Sequence, residues 1–351
     1  MRSSVSGLFL ALGAVLTTAG CLPDPDIRLP DLSLGGAAVD GGDGGVSRSD
    51  GPRSDLGSAT WQADSTAGSA QTLRAAWLSD AGGSEIFVVG HAGLILHKSG
   101  PGAWQSETSG TTANLYAVVA RSPSEIFAVG DRGVILRRTA GKWQAEGSEL
   151  SSTSALFSAV ALASGEVIAV GDNGMVARRQ PAGVWAAESA PALGGTGLRA
   201  IAGSRLEALT AVGMNSAILR RGAMGWDRDP LPIETAGRGN YYALVENPAD
   251  GTLTACGEYG VVLTRLSDRW AAEKRTPPMG MTSPLHLYAL TIAEGELFVV
   301  GAGGYLAHRL AGAGTWTEEQ SPSRSDLFGL AGLAARGLVA VGDAGSILRR
   351  L

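Results

Sequence analysis

Basic side chains recur at one fixed position of this 351-residue sequence. Each stands eight residues after a glycine, and the seven are Lys98, Arg138, Arg179, Arg221, Arg265, Arg309 and Arg350. A ring of cations at equivalent positions could bind an anionic polysaccharide, a phosphate or a lipid head group. The first chemical question is therefore whether these charges serve a ligand or the fold.

Strand pairing offers a structural explanation for the same charges. If each glycine opens a hairpin, counting along the two strands places the basic residue opposite a position five residues before the glycine. That position is acidic in four repeats, at Glu85, Glu125, Glu166 and Glu296. Each would form a cross-strand ion pair within its own repeat. Arg221, Arg265 and Arg350 face uncharged residues instead, so they remain the candidates for anion binding.

Acidic residues recur at the tips of the predicted turns. The residue directly after the glycine is acidic in four repeats, at Asp131, Asp172, Glu258 and Asp343. Such side chains commonly hydrogen-bond the backbone of their own turn, which is the favoured interpretation. The tips also lie at the end of the repeats opposite to the basic residues, so a ligand-binding role is the alternative.

Residues suited to catalysis show no arrangement that would support it. The four histidines, His91, His97, His286 and His308, are scattered through the chain without metal-ligand spacing. No nucleophile elbow or phosphate-binding loop is present. Cys256 stands inside an apolar run and is interpreted as a small core residue. We therefore expect a protein that is not an enzyme and has no cofactor or metal.

Two long stretches between repeats supply further candidates, since loops on a rigid scaffold often carry function. They are residues 227–242 and 274–286. The side chains singled out there as candidate binding residues are Arg238, Tyr241, Tyr242, Met279, Met281 and His286.

The elements that position these residues form seven repeats. The turn glycines are Gly90, Gly130, Gly171, Gly213, Gly257, Gly301 and Gly342, spaced 40 to 44 residues apart, a period typical of propeller blades. Four nearly always apolar residues precede each glycine, which predicts a strand buried on both faces. Another apolar run lies about fourteen residues upstream, and its third residue is always small, as innermost strands crowded around a channel would require.

Tryptophans predict how the repeats close into a ring. Six repeats end in a tryptophan, and the seventh lacks one because the chain stops at Leu351. The missing residue is supplied by Trp61, near the other end of the sequence. An N-terminal outer strand would then complete the last blade and remove the exposed sheet edges. The sequence predicts an all-β fold over residues 59–351, a seven-bladed β-propeller of four-stranded antiparallel blades.

The stretch "AVGDRGVILRRTAGKW" (128–143) resembles the repeats of photosystem II assembly factors and of bacterial-neuraminidase-repeat propellers. The resemblance covers residues 61–351 and implies the same propeller architecture. The aspartate box that such repeats usually carry before the tryptophan is eroded, and only "LSDRW" retains an aspartate, Asp268. An Arg-Ile-Pro segment, which sialidases of the related type contain, is absent. The resemblance thus implies a fold and leaves the activity open.

The N-terminal residues predict where the protein is localised. Residues 1–20 carry one early charge, an apolar stretch and small residues, as a signal peptide does. Thr18-Ala19-Gly20-Cys21 resembles a bacterial lipobox, which implies lipidation of Cys21. Residues 21–58 are rich in Gly, Asp and Pro and are predicted to be a disordered linker. We expect lipid anchoring in the outer membrane, on its periplasmic or cell-surface side.

Composition restricts the functions that remain. The net charge of −5 argues against nucleic-acid binding, and two cysteines cannot form a disulfide framework. We expect a monomer that acts as a binding or scaffolding platform for an envelope protein or glycan. The alternatives are a neuraminidase-like glycoside hydrolase and an assembly factor that docks a membrane protein.

Overall fold

The chain folds as a β-propeller of seven antiparallel blades, each with four strands, as the repeats predicted. The computed structural model describes residues 59–64, 70–79, 85–147, 150, 153–234, 237–278, 284–311, 314–333 and 337–350, together with the backbone of 17–19. Cys21, Met279 and Met281 lie outside the described residues, as do the rest of the predicted signal peptide and the predicted linker. No helix in the described part is long and apolar enough to cross a membrane.

The four strands of each blade run from the channel outward, and the blades are numbered along the chain. The innermost strands are Leu73–Leu78, Leu115–Ser122, Leu156–Ala161, Leu198–Ala202, Tyr241–Glu246, Leu287–Ala293 and Leu327–Leu333. The second strands are Glu85–Gly90, Glu125–Gly130, Val167–Gly171, Thr210–Gly213, Leu253–Gly257, Glu296–Gly301 and Gly337–Gly342.

The third strands are Ile95–Ser99, Ile135–Thr139, Val176–Arg179, Ile218–Gly222, Val261–Arg265, Leu306–Leu310 and Ile347–Arg350. The outer strands are Gln105–Glu107, Lys142–Ala145, Trp185–Ala187, Gly225–Arg228, Trp270–Lys274, Thr317–Glu318 and, in blade 7, Trp61–Ala63.

Short 3₁₀ turns join the second and third strands at His91–Gly93, Asp131–Gly133, Asp172–Gly174, Met214–Ser216, Glu258–Gly260, Ala302–Gly304 and Asp343–Gly345. A further 3₁₀ turn spans Leu206–Ala208. A short strand, Thr17–Ala19, lies in the channel and pairs antiparallel with the innermost strand of blade 7.

The outer strand Trp61–Ala63 closes the ring as predicted. Trp61 pairs with Arg350 and Ala63 pairs with Leu348, so blade 7 combines the two ends of the repeat array. The Trp61 side chain is buried, and its indole N–H donates a hydrogen bond to Glu319 of blade 6. This pairing removes the open edge that the third strand of blade 7 would otherwise expose.

The core lies between neighbouring blades because the second strands are buried on both faces. Phe127 of blade 2 is fully buried and meets Trp185 of blade 3 edge-on, with 6.4 Å between ring centroids. Phe87 and Trp143 repeat the contact between blades 1 and 2, at 6.3 Å. Each such ring contributes about 2–3 kcal/mol through burial. These aromatic contacts hold blade 1 to blade 2 and blade 2 to blade 3.

Crowding around the channel explains the small residue of the innermost strands. A Cβ added at Gly329 would lie 2.7 Å from the Arg74 carbonyl oxygen and 2.9 Å from the Cα of Ala75. Both atoms belong to the innermost strand of the next blade. Backbones approach so closely there that only small side chains fit, as the sequence predicted.

Glycine is required at the turn positions because a backbone carbonyl of the innermost strand approaches its Cα closely. The glycine backbone is itself extended, a conformation that any residue can adopt. A Cβ at Gly130 would lie 2.0 Å from the carbonyl oxygen of Asn114. That carbonyl accepts the Asp131 N–H at 2.9 Å. Three of the four acidic tip side chains accept hydrogen bonds from outside their own turns: Asp172 from the Ala155 N–H, Glu258 from the Tyr242 hydroxyl and Asp343 from the Thr72 hydroxyl. The backbone N–H of each of these acidic residues donates to a main-chain carbonyl at the start of its own blade's innermost strand.

The predicted cross-strand partner of the basic residues is wrong. Each turn contains three residues between its closing pair, so Arg138 pairs with Ile126, four residues before the glycine, and not with Glu125. Glu125 instead contacts Arg137, and Glu166 contacts Arg178 at 2.9 Å. The own-blade ion pairs therefore use the basic residue one position earlier.

The basic residues themselves pair with a carboxylate of the preceding blade. The pairs, acid first, are Asp64–Lys98, Glu107–Arg138, Glu146–Arg179, Glu188–Arg221, Asp229–Arg265, Glu273–Arg309 and Glu319–Arg350, with N–O distances of 2.7 to 3.6 Å. At six interfaces a tryptophan indole donates to the same carboxylate. We call this arrangement the inter-blade clasp. Arg221, Arg265 and Arg350, predicted to be the least paired, all belong to it.

Candidate ligand-binding site at the channel mouth

A collar of seven side chains surrounds the mouth of the channel at the turn-tip face. Every innermost strand contains a β-bulge one residue after its start, opposite the turn glycine. The bulged residues are Arg74, Tyr116, Phe157, Arg199, Tyr242, Tyr288 and Phe328. A bulge re-aims the side chain it carries. All seven positions hold either an aromatic ring or an arginine.

Contacts between neighbouring blades join the collar into a nearly continuous layer. Ring centroids are 5.3 Å apart between Tyr116 and Phe157, 5.8 Å between Tyr242 and Tyr288, and 5.3 Å between Tyr288 and Phe328. The two guanidinium groups lie over rings of the same layer. Arg74 is 4.5 Å from the Phe328 centroid, and Arg199 is 3.8 Å from that of Phe157. These are cation–π distances.

The acidic groups of this face already accept hydrogen bonds from the protein. The Tyr242 hydroxyl donates to Glu258 at 3.0 Å, and Tyr288 donates to Asp326. Burial, followed by the neighbouring carboxylate, raises the pKa of both tyrosines. Asp343 accepts from the Thr72 hydroxyl at 2.7 Å. Both tyrosines therefore remain neutral donors, and each of these carboxylates accepts at least one hydrogen bond within the protein.

Arg74 is held by His91 and retains an unused donor. Its Nε donates to His91 Nε2 at 2.9 Å. Burial, followed by the positive charge of Arg74, lowers the pKa of His91 and keeps the imidazole neutral, as an acceptor must be. Arg74 is only 9% exposed, and its Nη1 is buried without a hydrogen-bond partner. A buried donor on a charged group is costly to leave unpaired.

Arg199 and His286 also carry unpaired nitrogens at this face. The Nε and Nη1 of Arg199 are buried without partners, as is Nδ1 of His286. The His286 ring stacks on Tyr288, 6.1 Å between centroids, and contacts Tyr259 on its other side. Burial lowers the pKa of His286, although the carboxylate of Glu258 opposes the shift. The site thus presents unpaired cations and a neutral imidazole between aromatic faces.

A cleft of about 340 Å³ opens on the same face, between the tips of blades 2 and 3. Its lining includes Asn114, Asp131, Arg132 and Asp172. Asp172 accepts the N–H of Ala155 at 3.2 Å. The cleft adjoins the sector of the collar that contains Tyr116 and Phe157, so a ligand at the channel mouth could extend into it.

The structure separates the predicted site residues into different environments. Tyr242 and His286 belong to the channel mouth, where the four acidic tips also lie. Tyr241 is fully buried, and its hydroxyl donates to the Gly237 carbonyl at 2.7 Å. Arg238 is exposed on the preceding loop. Cys256 is a buried core residue, and burial raises the pKa of its thiol.

Most of the collar was missed at the sequence level, although a signal was present. The residue before the small position of each innermost strand is aromatic or arginine in all seven repeats. Its distance from the turn glycine varies, so alignment on the glycine hides the pattern. Within the described part of the chain, no group of three histidine, cysteine, aspartate or glutamate side chains could hold a metal ion.

Known structures with this fold include both binding proteins and enzymes. YCF48 bound to D1 peptide is 17% identical, with a TM-score of 0.67 over 84% of this chain and 98% of that one. A catalytically inactive virginiamycin B lyase from Staphylococcus aureus with quinupristin is 16% identical, with a TM-score of 0.70 over 83% and 99%. The WD40 propeller domain of Doa1 is 12% identical, with a TM-score of 0.64 over 83% and 96%.

These similarities show the fold alone. No protein-family model matches the chain, and no curated protein matches it significantly. YCF48 is a photosystem II assembly factor, so the resemblance inferred from the repeats is confirmed at the level of the fold.

Proposed function

We propose that this chain is a non-catalytic binding propeller that takes a segment of a partner protein at the channel mouth. The observation that carries the proposal is the collar, in which aromatic faces surround buried guanidinium N–H groups without partners. Aromatic and arginine side chains are enriched at sites that dominate protein recognition. YCF48, which shares the fold, is described with a bound D1 peptide, and this supports the choice of a protein partner over a glycan.

The proposed setting is the bacterial outer membrane, with a lipid on Cys21 and residues 21–58 as the tether. The lipobox-like Thr18-Ala19-Gly20-Cys21 supports this. We expect the wild-type protein to incorporate a labelled fatty acid during expression and the Cys21→Ser variant to incorporate none. A wild-type protein that takes up no label would contradict the anchor and leave the binding proposal untouched.

Binding at the collar is tested by comparing two single substitutions. Tyr288→Ala removes the ring that links Tyr242 to Phe328, whereas Met224→Ala changes a side chain that is 98% exposed at the other end of a blade. Envelope proteins crosslinked to the wild type should be lost with Tyr288→Ala and kept with Met224→Ala. Glycan arrays probed with the same three proteins test the glycan alternative. Collar-dependent binding to a glycan, with no collar-dependent protein partner, would contradict the proposal.

An enzyme is the second candidate, and one observation favours it. His286 keeps an unpaired ring nitrogen, and the negative charge of Glu258 acts on its pKa. A neutral imidazole so placed is suited to general acid–base chemistry. Lyases share the fold, and a neuraminidase-like glycoside hydrolase remains the alternative drawn from the repeats. Turnover of a streptogramin or a fluorogenic sialoside that His286→Gln abolishes would overturn the non-catalytic proposal.

A further inference from the structure

At the channel mouth the carboxylates have hydrogen-bond partners within the protein, whereas some guanidinium N–H groups have none. Its carboxylates at Glu258, Asp326 and Asp343 accept hydrogen bonds from tyrosine or threonine hydroxyls. Its guanidinium groups, at Arg74 and Arg199, keep buried N–H donors with no partner. The site therefore lacks an acceptor, and preferably an anionic one, since charge-assisted hydrogen bonds are the stronger kind.

Arg74 is the better anchor of the two. It is nine-tenths buried, and His91 fixes its orientation through Nε. The Phe328 ring lies 4.5 Å from its guanidinium carbon and the Tyr116 ring 6.0 Å away on the neighbouring blade. A planar cation held between aromatic faces loses little freedom on binding a carboxylate, to which the unpartnered Nη1 of Arg74 can donate.

The channel next to this anchor accepts an extended chain. The strand Thr17–Ala19 pairs with Gly329, Leu330 and Ala331, directly after the collar residue Phe328. Cleavage before Cys21, as proposed above, would remove this strand and leave the same edge unpaired. Main-chain pairing to an exposed edge supplies affinity in peptide recognition, and side-chain contacts supply specificity.

We propose that the channel mouth binds an extended acidic peptide, with one carboxylate held by Arg74 and its main chain paired along the innermost strand of blade 7. This inference rests on the proposed binding function and specifies the ligand chemistry of the same site. An aspartate or glutamate side chain and a free C-terminal carboxylate offer the same acceptor. Flanking apolar side chains of the peptide pack on Phe328 and Tyr288.

The test begins with a random peptide library selected on the mature lipidated protein in detergent. An enriched peptide is then synthesised together with an analogue in which the carboxylate is replaced by an amide. Both are titrated by calorimetry against the wild type, Arg74→Gln, Arg74→Lys, Tyr288→Ala and Arg205→Gln. Arg205 is an exposed arginine at the opposite end of blade 4, so its substitution controls for the loss of one positive charge.

We expect the acidic peptide to bind Arg74→Gln about ten- to a hundredfold more weakly than the wild type. Arg74→Lys should lie between the two, because lysine keeps the charge and loses the planar fork. Arg205→Gln should bind as the wild type does. The amide analogue should bind the wild type as weakly as the acid binds Arg74→Gln, with no further loss when both changes are combined. Melting curves confirm that each variant is folded.

Two contrary results separate this inference from the proposed function. If peptide binding is abolished by Tyr288→Ala but is unaffected by Arg74→Gln or by the amide replacement, the collar binds peptides and the carboxylate inference is wrong. If no peptide is enriched, or if none depends on Arg74 or Tyr288, both proposals are overturned.

Discussion

The Glu107 carboxylate in blade 1 accepts two hydrogen bonds from the Arg138 guanidinium in blade 2, at 2.8 and 2.7 Å. The Trp143 indole of blade 2 donates to the same carboxylate at 2.7 Å. Asp64 and Lys98 make the equivalent contact between blades 7 and 1, across the point where the ring closes. The clasp therefore joins every neighbouring pair of blades.

Removing the carboxylate of one clasp should destabilise the ring. Glu107→Ala leaves the largely buried Arg138 and the Trp143 indole without their acceptor. We expect the free energy of unfolding to fall by about 3 kcal/mol, in the range for one partner of a buried ion pair. Denaturant titration followed by tryptophan fluorescence measures the change.

The matched control is a more exposed ion pair in blade 2, the blade that contains Arg138. Arg121 contacts Glu125 at 2.8 Å with its side chain 29% exposed. Arg121→Ala should change the free energy of unfolding by less than about 1 kcal/mol. Equal effects of Glu107→Ala and Arg121→Ala would show that the clasp carries no special stability.

Ring closure should depend on a single tryptophan. Trp61→Ala removes a buried indole from the strand that completes blade 7, and a loss of about 3–5 kcal/mol is expected. Gln62→Ala, on the same strand with its side chain exposed, should leave the melting temperature nearly unchanged. A Trp61→Ala protein that melts with the wild type would mean that closure contributes nothing to stability.

A methyl group at a turn glycine should disrupt its blade. In Gly130→Ala the new Cβ would overlap the Asn114 carbonyl oxygen, a backbone atom that cannot move without the innermost strand. Gly222→Ala is the control, since a Cβ there meets no atom within 4 Å. We expect Gly130→Ala to yield little folded protein and Gly222→Ala to fold normally, as judged by circular dichroism and size exclusion. A well-folded Gly130→Ala would refute the close-approach explanation.

Acidification should destabilise the protein first through its buried histidines. Burial lowers the pKa of His91 and His286 below the ordinary value of 6.5. Below pH 6.5 the unfolded chain binds more protons at these residues than the folded one, so the free energy of unfolding falls as the pH falls. In His91→Gln and His286→Gln the melting temperature should fall less steeply with decreasing pH in this range. If it falls as steeply as in the wild type, these histidines are not the cause of the acid destabilisation.

A second loss is expected near pH 4.5 and below, from the clasp carboxylates. Burial raises the pKa of Glu107 and Glu188, but arginine and tryptophan hydrogen bonds outweigh it and hold each pKa below 4.5. Their stabilisation is complete above pH 4.5 and is lost as the pH falls through the folded-state values. Glu107→Gln should reduce the dependence of the melting temperature on pH below 4.5. The dependence between pH 4.5 and 6.5, which comes from the histidines, should stay unchanged.

The repeat pattern was sufficient to predict the architecture. Each repeat contains a turn glycine, an apolar second strand and a terminal tryptophan, and Trp61 supplies the tryptophan of the last blade. Each of these features reflects a packing requirement within one blade. Even the clasp has a sequence signal, because an acidic residue follows each of the seven repeat-ending tryptophans by three positions, as Glu107 follows Trp104. The spacing alone does not identify the partner, because nothing in one repeat indicates that its acid pairs with the arginine of the next repeat.

The order of strands in a blade and the closure of the ring were therefore determined by the sequence alone, because the first follows from spacing within a repeat and the second from the displaced Trp61. Tertiary structure decided which charges meet and which side chains share a site. The three-residue turn shifts Arg138 away from Glu125, and packing of adjacent blades then brings it to Glu107. The collar residues come from seven strands that are far apart in the chain. Only the radial packing of the blades brings them together around one axis.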